Sequence, residues 1–425
     1  MESDQMGSRP LLIVNCGQVL TLRGPRRPRI GMEMAELGIV RHGAILIQNG
    51  IIEQVRSNAR LSKISRGRDA VCLDAKGRVV LPGFVDSHTH ALFAAPRVVA
   101  RIAGASYEQI AKAGGGIQAS AKRMHLAAEP ALARHLTRVT GRFLEYGTTT
   151  FEVKSGYGLE IDQELKMLRV VKAMAAHAEC ELIPTLLIHD VPLRLKNKRS
   201  EYMELVIRRL IPEVVRRDLA CFFDVFCERS YFSLAETERL LRAASRAGLK
   251  LKLHADQLAH TGAAAMGAKL GAVSVDHLDR VEKADLRQMS RTQTIATLLP
   301  GTSLHLGEPR YPPARRLIES EIPVALATNF NPGSSPTVNM QLMLSLACSQ
   351  MRMSPAEAMV AATINGAYAV GQGDRLGSLE AGKQADVVIM DVSDYREIPY
   401  YFGMNHCAVV VKKGRVVFSK EERPD

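Results

Sequence analysis

The sequence predicts an α/β chain, a (β/α)8 TIM-like barrel with a small β-sandwich domain built from both chain termini. Three observations lead there. Residues 81–370 alternate short apolar runs with Ala-, Leu-, Arg- and Glu-rich stretches of helical period, the pattern of repeated βα units around a parallel sheet. Eight such runs fall in that segment, the strand number of a closed barrel. The two ends, 1–80 and 371–425, read instead as strands and turns, and each alone is a thin sheet with too little to bury, so one composite β-rich domain is expected from both.

At the amino-terminal end the strand-like runs are 11–14, 44–47 and 51–52, with Asn49-Gly50 as a hairpin signal. At the carboxyl-terminal end they are 386–391, 408–411 and 416–418. The barrel runs are 83–86, 148–153, 182–188, 222–226, 249–253, 272–275, 294–298 and 323–328. Between them, 163–178 places Leu165, Leu168, Val171 and Met174 on one helical stripe. Ser233-Leu-Ala-Glu236 opens another helix as a capping box.

Composition excludes several classes. With 46% hydrophobic and 24% charged residues, the chain is not predominantly disordered. It holds no run of about 18 apolar residues and its first ten residues are polar, so neither a membrane span nor a signal peptide is expected, and the location reads as cytoplasmic. Seven cysteines without a CxxC pair read as thiols rather than a disulfide framework. The net charge of +12 is spread out, dense only near 23–29 and 196–199, and no nucleic-acid motif accompanies it; a solvated basic surface is expected, with no nucleic-acid partner.

Position singles out five of the twelve histidines. His88 and His90 follow the first run, His189 the third, His254 the fifth and His277 the sixth, which places all of them at the carboxyl ends of barrel strands, where such enzymes carry their chemistry. Alternate residues leaving a strand point the same way, so His88 and His90 can share one cation, with His254 as a third ligand. His277 reads either as a further ligand or as a supporting residue. The glycines at 114–116 lack the spacing of a phosphate-binding loop, and no Gly-x-Ser-x-Gly elbow is present.

Several longer stretches carry a resemblance. They are Leu81-Pro-Gly-Phe-Val-Asp-Ser-His-Thr-His90 followed at seven residues by Arg97, Ala113-Gly-Gly-Gly-Ile117, Glu152-Val-Lys-Ser-Gly-Tyr-Gly-Leu159, Asp224-Val-Phe-Cys-Glu228, Leu253-His-Ala-Asp-Gln257, Asp276-His-Leu278, Leu298-Leu-Pro300 and Asn329-Phe-Asn-Pro-Gly-Ser334. With them the chain resembles the amidohydrolase superfamily and, within it, the imidazolonepropionase family. The resemblance implies hydrolysis of 4-imidazolone-5-propanoate, a small-molecule substrate, to N-formimidoyl-L-glutamate in histidine degradation, at one zinc or iron ion, in a possible homodimer. It assigns Arg97 to the substrate carboxylate and Tyr157, His189, Gln257, Asn331, Gly333 and Ser334 to other substrate or product contacts. It adds position 329 to the metal ligands His88, His90 and His254, and points to His277, Gln257 and Asn329 as the residues nearest the proton chemistry.

The chain departs from the family at one important position. The family carries aspartate as ligand and proton acceptor where this chain has Asn329, whose amide oxygen can bind a metal but cannot take a proton. Proton transfer then passes to His277, or the activity is weakened or lost. Gln257 stands where deaminases of the superfamily use a proton-shuttling glutamate, which argues against amidine deamination. Residues 222–226 hold no lysine that could bridge two metals; Lys154 is the remaining candidate, and one metal is expected. The alternatives are another mononuclear hydrolase of cyclic amides or amidines and a catalytically weakened relative.

Overall fold

A computed structural model describes residues 9–64, 69–93 and 116–421. Five strands come first: β1 (Leu11–Leu20), β2 (Ile39–Gln48), β3 (Ile51–Ser57), β4 (Val71–Asp74) and β5 (Val79–Pro82). The barrel strands are β6 (Phe84–Asp86), β7 (Thr148–Lys154), β8 (Glu181–Ile188), β9 (Phe222–Cys227), β10 (Lys250–Ala255), β11 (Ser274–His277), β12 (Ile295–Leu298) and β13 (Val324–Leu326). The last three are β14 (Val387–Met390), β15 (Cys407–Lys412) and β16 (Arg415–Ser419).

The strands from the two ends form one sheet in the order β16-β15-β14-β5-β1-β2-β3, with β4 beside β1. β5 is the seam, parallel to β1 on one side and antiparallel to β14 on the other. The expected domain limit at 80/81 falls inside this strand. Both faces of the sheet are covered. Leu11, Ile13, Ile45 and Ile47 share an apolar cluster with Val387, Ile389, Val409 and Val411, while the alternate residues Leu12, Ala44 and Leu46 pack with Leu61 on the opposite face. The hairpin between β2 and β3 turns on Asn49 and Gly50, both with positive φ (52° and 77°), as Asn-Gly in a tight turn requires.

All eight expected barrel runs are strands, each parallel to the next from β6 to β13. The seam between β13 and β6 is closed at the carboxyl ends: Thr89 bridges to Phe330, Asn329 N–H donates to His88 O (3.0 Å), and His90 N–H to Phe330 O (2.9 Å). The Asp86 carboxylate adds bonds from Thr328 N–H (3.1 Å) and Oγ1 (2.5 Å). Ring closure and the placement of two candidate ligands therefore rest on the same few residues.

Outside the strands, helix Ile161–Ala175 buries Leu165, Leu168 and Val171 as its stripe predicts. Helix Leu234–Arg246 begins with the expected capping box: Ser233 Oγ accepts from Glu236 N–H, and Glu236 Oε2 accepts from Ser233 N–H (2.9 Å). Arg199 lies 2.9 Å from the same carboxylate, and its hydrogen bond first, then the Ser233 amide, bring Glu236 down to about 2. Its ionised form thus stabilises the fold above the ordinary glutamate range, and the contribution is lost as pH falls from about 4.5 toward about 2. Glu236→Gln should cost about 1 kcal/mol at neutral pH, on the scale of a lost cap. The deficit should shrink on acidification through that window, as thermal unfolding at several pH values will read.

Candidate active site

The five histidines singled out by position meet at the carboxyl ends of the barrel strands. Ring centroids of His88 and His254 lie 4.5 Å apart, His90 and His254 5.4 Å, His254 and His277 5.4 Å, and His90 and His189 5.5 Å. His90 Nε2 and His254 Nε2 approach to 3.4 Å, a separation that a shared proton or a shared cation accounts for. His88, His254 and His277 each offer a nitrogen within 4.8 Å of the others. Burial first, and the neighbouring basic groups second, push His88, His90 and His277 well below the ordinary imidazole range. They are neutral, with lone pairs available to a metal.

Beneath the imidazoles lies a fully buried ionic network. Asp276 Oδ2 holds His88 Nδ1 at 2.6 Å, and Asp224 Oδ2 lies 3.0 Å from His254 Nδ1. Lys154 Nζ sits 2.6 Å from Asp224, 2.9 Å from Glu152 and 3.7 Å from Asp276. Lys252 Nζ reaches Glu152 (3.0 Å) and donates to Ser87 O (2.7 Å). Burial alone would lower Lys154, but Asp224, Glu152 and Asp276 together carry it above the usual lysine range. It is held as an ammonium ion, not as the nucleophilic amine that carboxylation requires, so the candidate bridging lysine is a charge partner instead.

Two observations test the fit of a cation. His88 Nε2 and Asn329 Oδ1 are buried without a hydrogen-bond partner among the described residues, while Asn329 Nδ2 donates to Thr302 Oγ1 at 2.8 Å. In the network, the carboxylates of Glu152, Asp224 and Asp276 face the two ammonium groups, while burial pushes the Asp86 carboxyl up to about 7. Neutral nitrogen donors and an orphaned amide oxygen above buried carboxylates suit a divalent ion.

Above the imidazoles is a cavity lined by His90, Tyr157, His189, Phe226, His254, Gln257, His277, Asn329, Asn331 and Ser334. Nearly every expected site residue is here. His88 lies behind the lining, and Gly333 serves the loop, donating its N–H to Asn331 Oδ1 (2.8 Å), which also accepts from Ser334 N–H (2.8 Å). Arg97 lies outside the described residues. Among the described lining residues none is a carboxylate and none a permanent cation. Phe226, whose ring lies 5.4 Å from His189 and 5.6 Å from His254, was not expected; its signal was its place at the end of the fourth run. Backbone at the strand ends is held in the left-handed region at His277 (φ 83°) and Asn329 (φ 52°), costly local geometry of the kind found at functional sites.

Residues 79–417 match the amidohydrolase family. The imidazolonepropionase of Geobacillus kaustophilus is 44% identical over 96% of this chain and 98% of its own length. That of Solibacter usitatus is 42% identical with the same coverage. The chain belongs to the imidazolonepropionase branch of the amidohydrolase family. Among solved structures, a triazine hydrolase variant superposes with a TM-score of 0.75 at 17% identity, covering 97% of this chain and 96% of that one. A zinc-bound adenosine deaminase from Xanthomonas campestris gives 0.70 at 18%, covering 98% and 94%. At that distance the likeness shows the barrel and nothing finer.

Family membership brings metal-dependent chemistry, and the histidine cluster is where a metal fits. His88→Ala combined with His90→Ala should remove stoichiometric divalent metal. Asp276→Asn, which leaves every donor in place but loosens His88, should weaken retention against a chelator by about 10- to 100-fold. Undiminished metal in the double variant would refute the assignment.

Proposed function

We propose that this chain hydrolyses 4-imidazolone-5-propanoate to N-formimidoyl-L-glutamate, at one zinc or iron ion held by His88, His90 and His254 with the amide oxygen of Asn329. The observation that carries the reading is the joint lining of one cavity by Tyr157, His189, Gln257, Asn331 and Ser334 over that histidine cluster, in a chain 44% identical to a named imidazolonepropionase. Water adds across the lactam C–N bond: the carbonyl carbon becomes a carboxylate and the nitrogen remains in the formimidoyl group. A bound divalent ion would lower the pKa of water and polarise the ring carbonyl.

The protein's own groups supply the rest. Gln257 and Ser334 present an amide and a hydroxyl group to the polar edge of the ring, Asn331 braces the loop that carries Ser334, and Tyr157 and His189 stand beside it. His277, neutral and buried, is the group that can accept the proton of the attacking water. Asn329 cannot. Gln257 cannot shuttle a proton either, which favours opening a lactam over releasing ammonia from an amidine. The propanoate tail needs a cation that the described lining lacks, and the resemblance gives that part to Arg97, whose planar donors suit a carboxylate. Seven cysteines, none in a disulfide, support a cytoplasmic setting; among the described residues no helix is long and apolar enough to cross a membrane.

Turnover of imidazolone propanoate by the metal-loaded chain tests the reading directly. Arg97→Lys keeps charge but loses the paired donors, and should reduce kcat/KM by about 10-fold, the effect of ~1.4 kcal/mol; an unchanged value would remove Arg97 from the site. Asn329→Asp restores a proton acceptor at almost constant volume. A missing general base costs about 10²- to 10⁴-fold, so this change should raise turnover at least about tenfold. If the parent is already brisk and gains nothing, His277→Asn should instead cause a large loss. Inactivity of both forms with metal bound would refute the substrate.

A further inference from the structure

Tyr157 reaches the cavity from a segment that has no regular structure of its own, Ser155 to Glu160, between β7 and helix Ile161–Ala175. One side chain gathers this segment. Glu164, in the first turns of that helix and 1% exposed, accepts Gly156 N–H on Oε2 at 2.7 Å and Leu159 N–H on Oε1 at 2.6 Å. The two donors bracket Tyr157. The chain wraps so closely that a Cβ on Gly158 would lie 2.5 Å from Glu164 N and 2.9 Å from Glu164 Oε1. Gly156 has φ 96°, and a Cβ there would lie 2.7 Å from the Leu187 side chain.

Neighbouring contacts fix the edges of the wrap. Ser155 Oγ accepts Leu187 N–H (3.1 Å) from β8, and Tyr202 Oη donates to Leu159 O (2.9 Å). Successive N–H groups turned inward around an anion form a nest. Here the anion belongs to the protein. Burial raises Glu164 above the ordinary glutamate value, against the opposing pull of the bonds from Ser155, Gly156, Leu159 and Gly158. A buried carboxylate is retained where its hydrogen bonds hold something in place.

We propose that Glu164 is a positioning residue for substrate binding, acting by tethering the Gly156–Leu159 turn so that the Tyr157 ring stands over the histidine cluster. The ring centroid lies 5.8 Å from that of His90 and 5.5 Å from that of His189. The hydrogen-bond partners of Glu164, at Ser155, Gly156, Gly158 and Leu159, are not among the cavity-lining residues. Its effect passes through Tyr157, and it rests on the reading of this cavity as the substrate site.

The test is a double-mutant cycle in the metal-loaded chain with imidazolone propanoate, paired with hydrogen exchange at the backbone amides of 156 and 159. Glu164→Gln presents a donor where an acceptor is needed. It should raise KM about tenfold or more, change kcat less, and speed exchange at both amides. In a Tyr157→Ala background the same substitution should leave KM within about twofold, because the group it positions is gone. Glu164→Asp, which keeps the charge on a shorter arm, should fall between the parent and Glu164→Gln, and it takes the place of Glu164→Gln in the cycle if that variant does not fold. An equal KM factor in both backgrounds, or unaltered exchange at 156 and 159, overturns the proposal. If the parent turns over no imidazolone propanoate, the functional reading fails, and the exchange measurement alone decides whether Glu164 tethers the turn.

Discussion

The site depends on the containment of charge inside the barrel. Asp86, Glu152, Lys154, Asp224, Lys252 and Asp276 are all fully buried, where barrel interiors are more often filled by branched apolar side chains. Removing an ion from water costs several kcal/mol, and deleting one member of a buried pair typically costs about 3–5 kcal/mol. Each group must therefore stay within reach of its partners. Lys154 draws Asp224, Glu152 and Asp276 together, Asp276 and Asp224 fix His88 and His254, and Asp86 ties β13 to β6 through Thr328. The orientation of the imidazoles follows from buried carboxylates two layers below the pocket.

Much of this architecture was legible in the order of residues. The eight barrel runs and the Asn49-Gly50 turn are local signals, and tertiary packing had nothing to override. The histidines could be placed because a barrel puts every strand end on one face, so His254 and His277 come near His88 although 166 or more residues separate them in the chain. The ionic layer was not legible. Leu249-Lys-Leu-Lys-Leu253 alternates like a strand with one face in water, yet Lys252 is buried and only Lys250 is exposed. In a closed barrel the inward face is as dry as the outward one, and a charge there has meaning only beside partners on other strands. Glu152 and Asp224, 72 residues apart, become neighbours through Lys154 alone.

The described lining of the pocket is neutral where its foundation is charged. Position 329 carries an amide, Gln257 another and Asn331 a third, and the loop from 329 to 335 braces itself: Asn331 Nδ2 donates to Asn329 O (2.6 Å) and Ser334 Oγ (2.9 Å), and Ser335 Oγ to Thr328 O (2.6 Å). That bracing holds Asn329 in its left-handed conformation, which asparagine tolerates better than most residues. The amide oxygen stays unpartnered because the backbone around it is over-determined.

On the proposed reaction, this neutrality has two opposed effects. The substrate enters with one carboxylate and the product leaves with two, so a described lining without carboxylates repels neither, and an amide at 329 adds no negative charge against them. The proton is where the arrangement loses. Water cannot attack without a base, and with amides at 257 and 329 that part falls to an imidazole whose burial already disfavours its charged form. The burial that keeps His277 neutral also makes it a reluctant acceptor. On that reading the buried carboxylates orient the imidazoles that bind, while the rate is governed by how far burial lets His277 take a proton.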